Sequence, residues 1–160
     1  MASDATPKVY DNNQGGEYGK NFVQELQAPA DLMPPDFTKI YEKFANRILW
    51  IDSNVCEGAF QMNTAWYFDV PERDPIFPEH THDHDELIGF FGSNPDEPYE
   101  LNGVIEFAIN GEMHRLTKST MIWVPSDATH NPMRILEVRK PIFHFSIVMN
   151  PLYTGKSTYK

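Results

Sequence analysis

The sequence contains little cysteine, little basic charge and no long apolar run. Cys56 is the single cysteine in 160 residues, so no internal disulfide can form, which is typical of a reducing compartment. Lysine and arginine total 13 against 23 aspartates and glutamates, and the net charge of −10 disfavours nucleic acid and anionic membranes as partners. The polar N-terminal region has no signal-peptide core, and no stretch approaches membrane-spanning length. We therefore expect a cytoplasmic protein.

Three common catalytic patterns are also missing from the chain. We find no phosphate-cradling glycine loop, no dinucleotide fingerprint and no Ser-His-Asp arrangement. The composition, 41% hydrophobic and 13% aromatic, is that of a globular protein rather than a disordered one. A chain of 160 residues suits one domain with a sizeable core.

Histidines are concentrated in one short acidic stretch. His80, His82 and His84 fall within five residues, and Glu86 follows them. A fourth histidine, His130, comes after a strand-like stretch and a proline-containing turn. Imidazoles and a carboxylate are suitable ligands for Zn, Fe, Mn or Ni. The sequence therefore predicts one divalent transition metal per chain.

The geometry of a strand limits which of these residues can share an ion. Alternate side chains on a strand lie about 7 Å apart on one face, so His80 and His82 can converge. Glu86 would be about 20 Å from His80 if the strand ran straight, so the chain must turn between them. Asp83-His84-Asp85 is compatible with a turn, and a hairpin would bring Glu86 back beside the two histidines. His84 is then a turn residue near the pocket rim. A pair formed by His82 and His84 instead lacks a carboxylate at the right later spacing.

This pattern resembles the cupin superfamily. The first cupin motif matches His80-Thr81-His82, three residues, Glu86, five residues and Gly92, and part of the second matches the segment from Pro125 to His130. The resemblance covers about residues 55 to 150 and implies His80, His82, Glu86 and His130 as metal ligands. The sequence departs from the family motifs at four positions, which are Asp74, Ser119, Asp127 and Arg134.

The organisation along the chain predicts an N-terminal arm over residues 1–33 and a single domain over residues 34–160. Within the arm, residues 20–26 could pair as an edge strand, either in the same chain or with a second subunit. After the arm, Asp36 is a candidate N-cap for a short helix. Many short strands with turn signals follow, which indicates an all-β barrel or sandwich. Asn110-Gly111 is a strong hairpin signal between two of these strands. The resemblance makes the expected fold a double-stranded β-helix, the cupin jelly-roll barrel.

The function is less constrained than the fold. The first hypothesis is a metal-dependent cupin enzyme of lyase, isomerase, decarboxylase or cyclase type, acting on a small oxygenated molecule. The acid or base would be Glu86, His84 or Tyr67. The alternatives are an Fe(II)-dependent dioxygenase and a non-catalytic ligand-binding or sensing cupin. His144 is interpreted as a core histidine, with a role as an acid or base as the alternative. The resemblance also implies a homodimer.

Overall fold

The computed structural model describes residues 6–150, and its regular elements are mainly strands. A 3-10 turn (Gly19–Asn21) and one helix, α1 (Pro35–Tyr41), precede the strands. The strands are β1 (Ala45–Ile51), β2 (Gln61–Tyr67), β3 (Glu86–Gly92), β4 (Glu100–Ile109), β5 (Glu112–Lys118), β6 (Thr120–Val124), β7 (His130–Val138) and β8 (Ile142–Val148). Within residues 6–150, no helix is long and apolar enough to cross a membrane.

The strands form two antiparallel sheets. The first has the order β1-β2-β8-β3-β6 and the second the order β5-β4-β7. A further segment, residues 76–80, runs beside β7 through two isolated bridges, Phe77 with Met133 and His80 with His130. The segment therefore acts as a short outer strand of the second sheet, although only these two bridges are regular.

The sheet order is that of a double-stranded β-helix. If the short segment 76–80 is counted with β2 to β8, eight strands follow one another along the chain. Their order is first, eighth, third and sixth in one sheet, and fifth, fourth, seventh and second in the other. Among these eight strands, the chain crosses between the sheets at every connection except the β4–β5 hairpin. This two-sheet jelly roll confirms the predicted fold class.

Side chains at alternate positions along the strands fill the space between the two sheets. Along β2 the buried residues are Gln61, Asn63, Ala65 and Tyr67, while the residues between them are partly exposed. Helix α1 covers one end of the barrel with Phe37 and Tyr41, and the ring of Phe37 lies 5.8 Å from that of Phe77. The barrel interior is therefore apolar at this end and contains polar residues on β2.

Three local predictions are wrong. Residues 80–82 and β3 do not form a hairpin, because the first segment bridges to β7 while β3 pairs with β6 and β8. Residues 20–26 form no strand, and only the 3-10 turn (Gly19–Asn21) lies there. Asp36 is inside the first turn of α1 rather than its cap, which is Pro34.

The Asn110-Gly111 hairpin is confirmed, with both residues at positive φ, 48° and 79°.

The predicted division at residue 33 stays a prediction. Among residues 6–33 the regular structure is the 3-10 turn (Gly19–Asn21), and α1 begins soon after, at Pro35. The extreme ends of both predicted units lie outside the described residues.

Candidate metal centre

Three histidines from two separate segments of the chain converge in the fold. One ring nitrogen from each of His80, His82 and His130 lies within 4.8 Å of the others. Three nitrogens bound at about 2.1 Å to one ion lie at most about 4.2 Å apart, so small ring movements would close the group around a metal. His130 begins β7, and the backbone bridge between His130 and His80 brings the two parts of the site together.

A backbone carbonyl holds each of the three rings. Nδ1 of His80 lies 3.1 Å from the Pro78 oxygen, and Nδ1 of His130 lies 3.2 Å from the Ala128 oxygen. Nδ1 of His82 lies 2.9 Å from the oxygen of His84. Because a carbonyl can only accept, Nδ1 carries the proton and donates it in each case. In His80 and His130 this leaves the lone pair on Nε2, the state that a metal requires. His82 differs, because its Nε2 lies 3.0 Å from Glu86 and donates to that carboxylate when no metal lies between them. Burial lowers the pKa of His82, but the hydrogen bond and the charge of Glu86 outweigh it and raise the pKa above its ordinary value.

Glu86 supplies the negative charge beside these rings. Its Oε2 lies 3.0 Å from Nε2 of His82 and 3.4 Å from Nε2 of His130, and the residue is 8% exposed. Burial alone would raise the pKa of Glu86, but the contacts with His130 and His82 outweigh it and lower the pKa to about 2. Glu86 is therefore an ionised carboxylate between two imidazoles, as expected of a metal ligand.

The ring of His130 gives the best test of whether a metal fits. Its Nε2 is fully buried without a hydrogen-bond partner, since the 3.4 Å separation from Glu86 is long for a hydrogen bond. Leaving a buried nitrogen unpaired is costly. A divalent ion bound by His80, His82, Glu86 and His130 would satisfy it, so the residues present fit a metal.

His84 does not line the site. It is buried, and its ring stacks on that of His82 with ring centres 4.0 Å apart and an interplanar angle of 2°. This places His84 behind His82 rather than at the pocket rim. A role for His84 as an acid or base stays a prediction.

A cavity of about 100 Å³ lies between the sheets beside the cluster. His80, Glu86 and His130 form part of its wall, and Tyr67 forms another part. The sequence does not show which face of β2 points inward. In the structure, Tyr67 is 1% exposed and points into the barrel. Tyr67 and Glu86 share one cavity, which His84 does not reach.

His144 also lies in the cavity wall. Its ring stacks between those of Tyr67 and Phe90, with ring centres 5.1 Å and 5.0 Å away, and Nδ1 lies 3.1 Å from the Gly89 oxygen. Burial lowers the pKa of His144 to about 4, so the ring is neutral near pH 7. Sequence reasoning placed this residue in the core, which is correct, but left open its position in the cavity wall.

Several polar groups in the cavity wall were missed by sequence reasoning, among them two that contact each other. Arg47 on β1 and Asn63 on β2 lie in the wall, and Nη1 of Arg47 donates to Oδ1 of Asn63 over 2.6 Å. A signal was available for Asn63, because Asn63 and Tyr67 are four positions apart on one strand and so share a face. No comparable pattern marked Arg47, since β1 lies at the edge of its sheet.

Comparisons with known proteins were made for sequence and for structure. No family model matches the sequence, and no curated protein matches it. A sugar phosphate isomerase of the cupin superfamily from Silicibacter pomeroyi matches 79% of this chain and 70% of its own, at 8% identity and a TM-score of 0.49. A predicted oxalate decarboxylase from Thermotoga maritima matches 66% of this chain and 78% of its own, at 8% identity and a TM-score of 0.45.

A third solved structure, of DMSP lyases, is similar over a smaller part of its length. It matches 64% of this chain at 13% identity and a TM-score of 0.36, and this chain spans 42% of the lyase chain. The evidence for the fold comes from the molecule itself. The strand order is that of a double-stranded β-helix, and both motif segments meet around one group of ligands. The chain has the cupin fold, with a three-histidine group that could hold a metal ion.

Proposed function

We propose that the chain is a metal-dependent enzyme that acts on a small oxygenated organic molecule by lyase, isomerase, decarboxylase or cyclase chemistry. The observation that carries the proposal is the shared cavity: His80, Glu86 and His130 line it together with Tyr67. A metal with a purely structural role needs no such space, because its coordination is closed by protein ligands.

The chain's own residues have distinct tasks in this proposal. His80, His82, Glu86 and His130 hold the ion, and a divalent ion polarises a carbonyl group or lowers the pKa of bound water. The Tyr67 hydroxyl is placed to donate or accept a proton at the substrate. Glu86, ionised beside His82, can carry a proton when it is not bound to the metal.

The test of an open metal site needs no substrate. Co(II)-loaded protein is titrated with azide, and the visible spectrum of the cobalt reports a new ligand. The proposal predicts a saturable spectral change in the wild type at one cobalt per chain. His130→Ala should bind little cobalt and show no such change. An unchanged spectrum in fully loaded wild type would mean a closed, structural site.

Oxygen separates this chemistry from that of a dioxygenase. Small hydroxy acids, keto acids and sugar derivatives are incubated with the metal-loaded protein under nitrogen and followed by NMR. We expect conversion without oxygen, reduced about a hundredfold or more in Tyr67→Phe, because a positioned acid or base typically contributes that much. Conversion that occurs only with oxygen would contradict the proposed reaction class.

A further inference from the structure

Arg47 is a half-buried cation that faces the cavity and has no acidic partner among the described residues. It lies on β1 opposite Ala65 of β2, is half-buried and forms part of the cavity wall. Its guanidinium contacts neutral groups: Oδ1 of Asn63 at 2.6 Å, Sδ of Met33 at 3.7 Å and the ring of Tyr41 at 5.1 Å. Within residues 6–150, no carboxylate forms an ion pair with Arg47.

Other arginines of the chain behave differently. Three of the other four, Arg115, Arg134 and Arg139, each form an ion pair with a glutamate or aspartate, and the fourth, Arg73, lies over the ring of Phe37 at 5.9 Å. The chain has 23 acidic residues against 13 basic ones, so acidic partners are abundant. A guanidinium that faces a cavity and is kept from all of the described acids is available to an anion that enters the cavity.

The groups beside Arg47 complete a polar end of the cavity. Asn63 uses Oδ1 to accept from Arg47, which leaves its amide NH2 as a donor. Gln61 lies on the same face of β2 but farther along the strand, level with Glu86, because both residues pair with Val148. It is 1% exposed, and its Oε1 has no hydrogen-bond partner. An unpaired buried oxygen is costly unless a ligand or water donates to it. A planar guanidinium beside amide groups suits a carboxylate that carries a neighbouring hydroxyl.

Arg47 and Glu86 line the same cavity from separate strands of one sheet. The strands β1 and β3 are separated by β2 and β8, so their backbones are about 14 Å apart at about 4.8 Å per step. Both residues line the cavity, and they are also offset along the strands, because Arg47 is level with Phe90, four residues from Glu86. The space between them therefore fits a molecule of a few carbon atoms rather than a polymer.

The charge of Arg47 is also felt within the cavity. The pKa of His144 is lowered to about 4, mainly by burial, and the positive charge of Arg47 acts in the same direction. His144 lies on β8, between the strands that carry the polar end and Glu86. The guanidinium charge is thus directed into the cavity rather than only into solvent.

We propose that the substrate is a small carboxylate whose carboxyl group pairs with Arg47 and Asn63 while oxygen atoms at its other end face the ligand group. This inference rests on the proposed function, since it assigns the substrate class of the same site. It also explains how a protein with a net charge of −10 can take an anion. Arg47 provides a local positive charge where the substrate must bind.

The experiment uses a series of dicarboxylates as probes. Malonate, succinate and glutarate are titrated into Co(II)-loaded wild type, and acetate is the reference because it can reach the metal but cannot also span to Arg47. We expect at least one dicarboxylate to bind about tenfold or more tightly than acetate. In Arg47→Gln, this preference should fall by about ten- to a hundredfold, the usual range for a lost charge-assisted contact.

Two further variants control the result. Arg139→Gln removes an exposed arginine that pairs with Glu137 and should leave the preference unchanged, which excludes a general effect of charge. Asn63→Asp places a carboxylate against the guanidinium and should abolish the preference without removing Arg47. This second variant decides the matter if Arg47→Gln does not fold, as judged by its thermal unfolding.

The outcomes separate this inference from the proposed function. A wild type that binds azide at the cobalt but shows no preference for any dicarboxylate would overturn the role of Arg47 alone. The same holds if the preference survives in both Arg47→Gln and Asn63→Asp. A wild type in which cobalt binds neither azide nor acetate would overturn the proposed function itself.

Discussion

At the scale of residues, the site depends on short-range contacts that the motif spacing does not reveal. Each ligand histidine donates from Nδ1 to a carbonyl two residues away, at Pro78, His84 or Ala128. The ring orientation is thus set by local backbone rather than by distant side chains. The convergence of the three histidines was predictable from sequence, whereas the tautomer of each ring was not.

The departures from the family motifs are compensated in the fold. Asp127 stands where the motif has glycine and adopts φ of 64°, a conformation that aspartate tolerates better than most residues. Arg134 and Asp74 both stand at positions that differ from the family motifs. They form a bidentate salt bridge with two contacts of 2.7 Å. Two separate changes in the motifs are therefore one pair in space, which sequence spacing alone could not show.

The first prediction concerns His144 and acid. Its pKa of about 4 in the folded state lies below 6.5, so between these values the unfolded chain takes up a proton that the folded chain does not. The free energy of unfolding should therefore fall as the pH falls from 6.5 to 4, by up to about 3 kcal/mol from this residue. The measurement is denaturant unfolding of chelator-treated protein across this range.

Matched variants isolate the contribution of His144. His144→Gln has no titrating ring, so its stability should depend less steeply on pH than that of the wild type. The exposed His114 is the control, and His114→Gln should keep the wild-type slope. Equal slopes for wild type and His144→Gln would show that the ring titrates alike in the folded and unfolded chain.

At the scale of elements, the β4–β5 turn is linked to the metal centre. The backbone N–H of Asn110 donates to the Thr129 oxygen over 2.6 Å, and the Thr129 N–H donates to Oδ1 of Asn110 over 3.0 Å. Thr129 directly precedes His130. The turn was predictable from its sequence, but its contact with the ligand segment joins residues far apart in the chain and was not.

The second prediction tests this link. Asn110→Gly keeps the positive φ that the turn requires but removes the side-chain oxygen, so the segment before His130 loses one anchor. We expect metal affinity to fall about tenfold, with the stoichiometry unchanged, in competition titrations against a chelator. Asn110→Asp retains an acceptor oxygen and should bind metal like the wild type. If Asn110→Gly bound metal with wild-type affinity, the turn would not contribute to metal binding.

The wrong hairpin between His82 and Glu86 shows where local patterns stop being informative. A polar turn between two strand-like segments is compatible with a hairpin and with a crossing from one sheet to the other. The residues of the turn do not differ between these cases, because the strand partners are chosen by distant segments, here β7 and β8. The convergence of His82 and Glu86 was predicted correctly through the wrong connection.

At the scale of the whole molecule, the outer face of the larger sheet is strongly apolar. Aromatic rings lie side by side there, with Trp66 5.3 Å from Phe143 and Phe91 5.9 Å from Phe145. On the neighbouring edge strand β6, Trp123 is 56% exposed and Met121 is 64% exposed. An apolar face of this kind is typical of an interface.

The third prediction uses this face to test the expected homodimer. The double variant Met121→Glu and Trp123→Glu introduces two charges at the proposed contact with a second copy, so it should be monomeric in sedimentation velocity. Met113→Glu changes an exposed methionine on β5, in the other sheet, and should leave the dimer intact. A monomeric wild type, or a double variant that stays dimeric, would contradict the prediction.

The overall architecture was more predictable than the arrangement of its parts. Many short strands with turn signals indicated an all-β fold, and the motif resemblance indicated the jelly roll, which the sheet order confirms. The cavity wall was only partly predictable. Tyr67 could be placed on a strand but not on a face, and Arg47 had no local signal, because inward and outward positions of an edge strand depend on what packs against it.

The most direct test of the central claim is the metal content of protein purified without chelators and without oxygen. Elemental analysis should find about one Mn, Fe, Zn or Ni per chain, and His82→Ala or His130→Ala should lose most of it while remaining folded. His84→Ala should retain it, because the carbonyl that holds His82 belongs to the backbone. A metal-free wild type even after reconstitution, or a site emptied by His84→Ala but not by His82→Ala, would contradict the account.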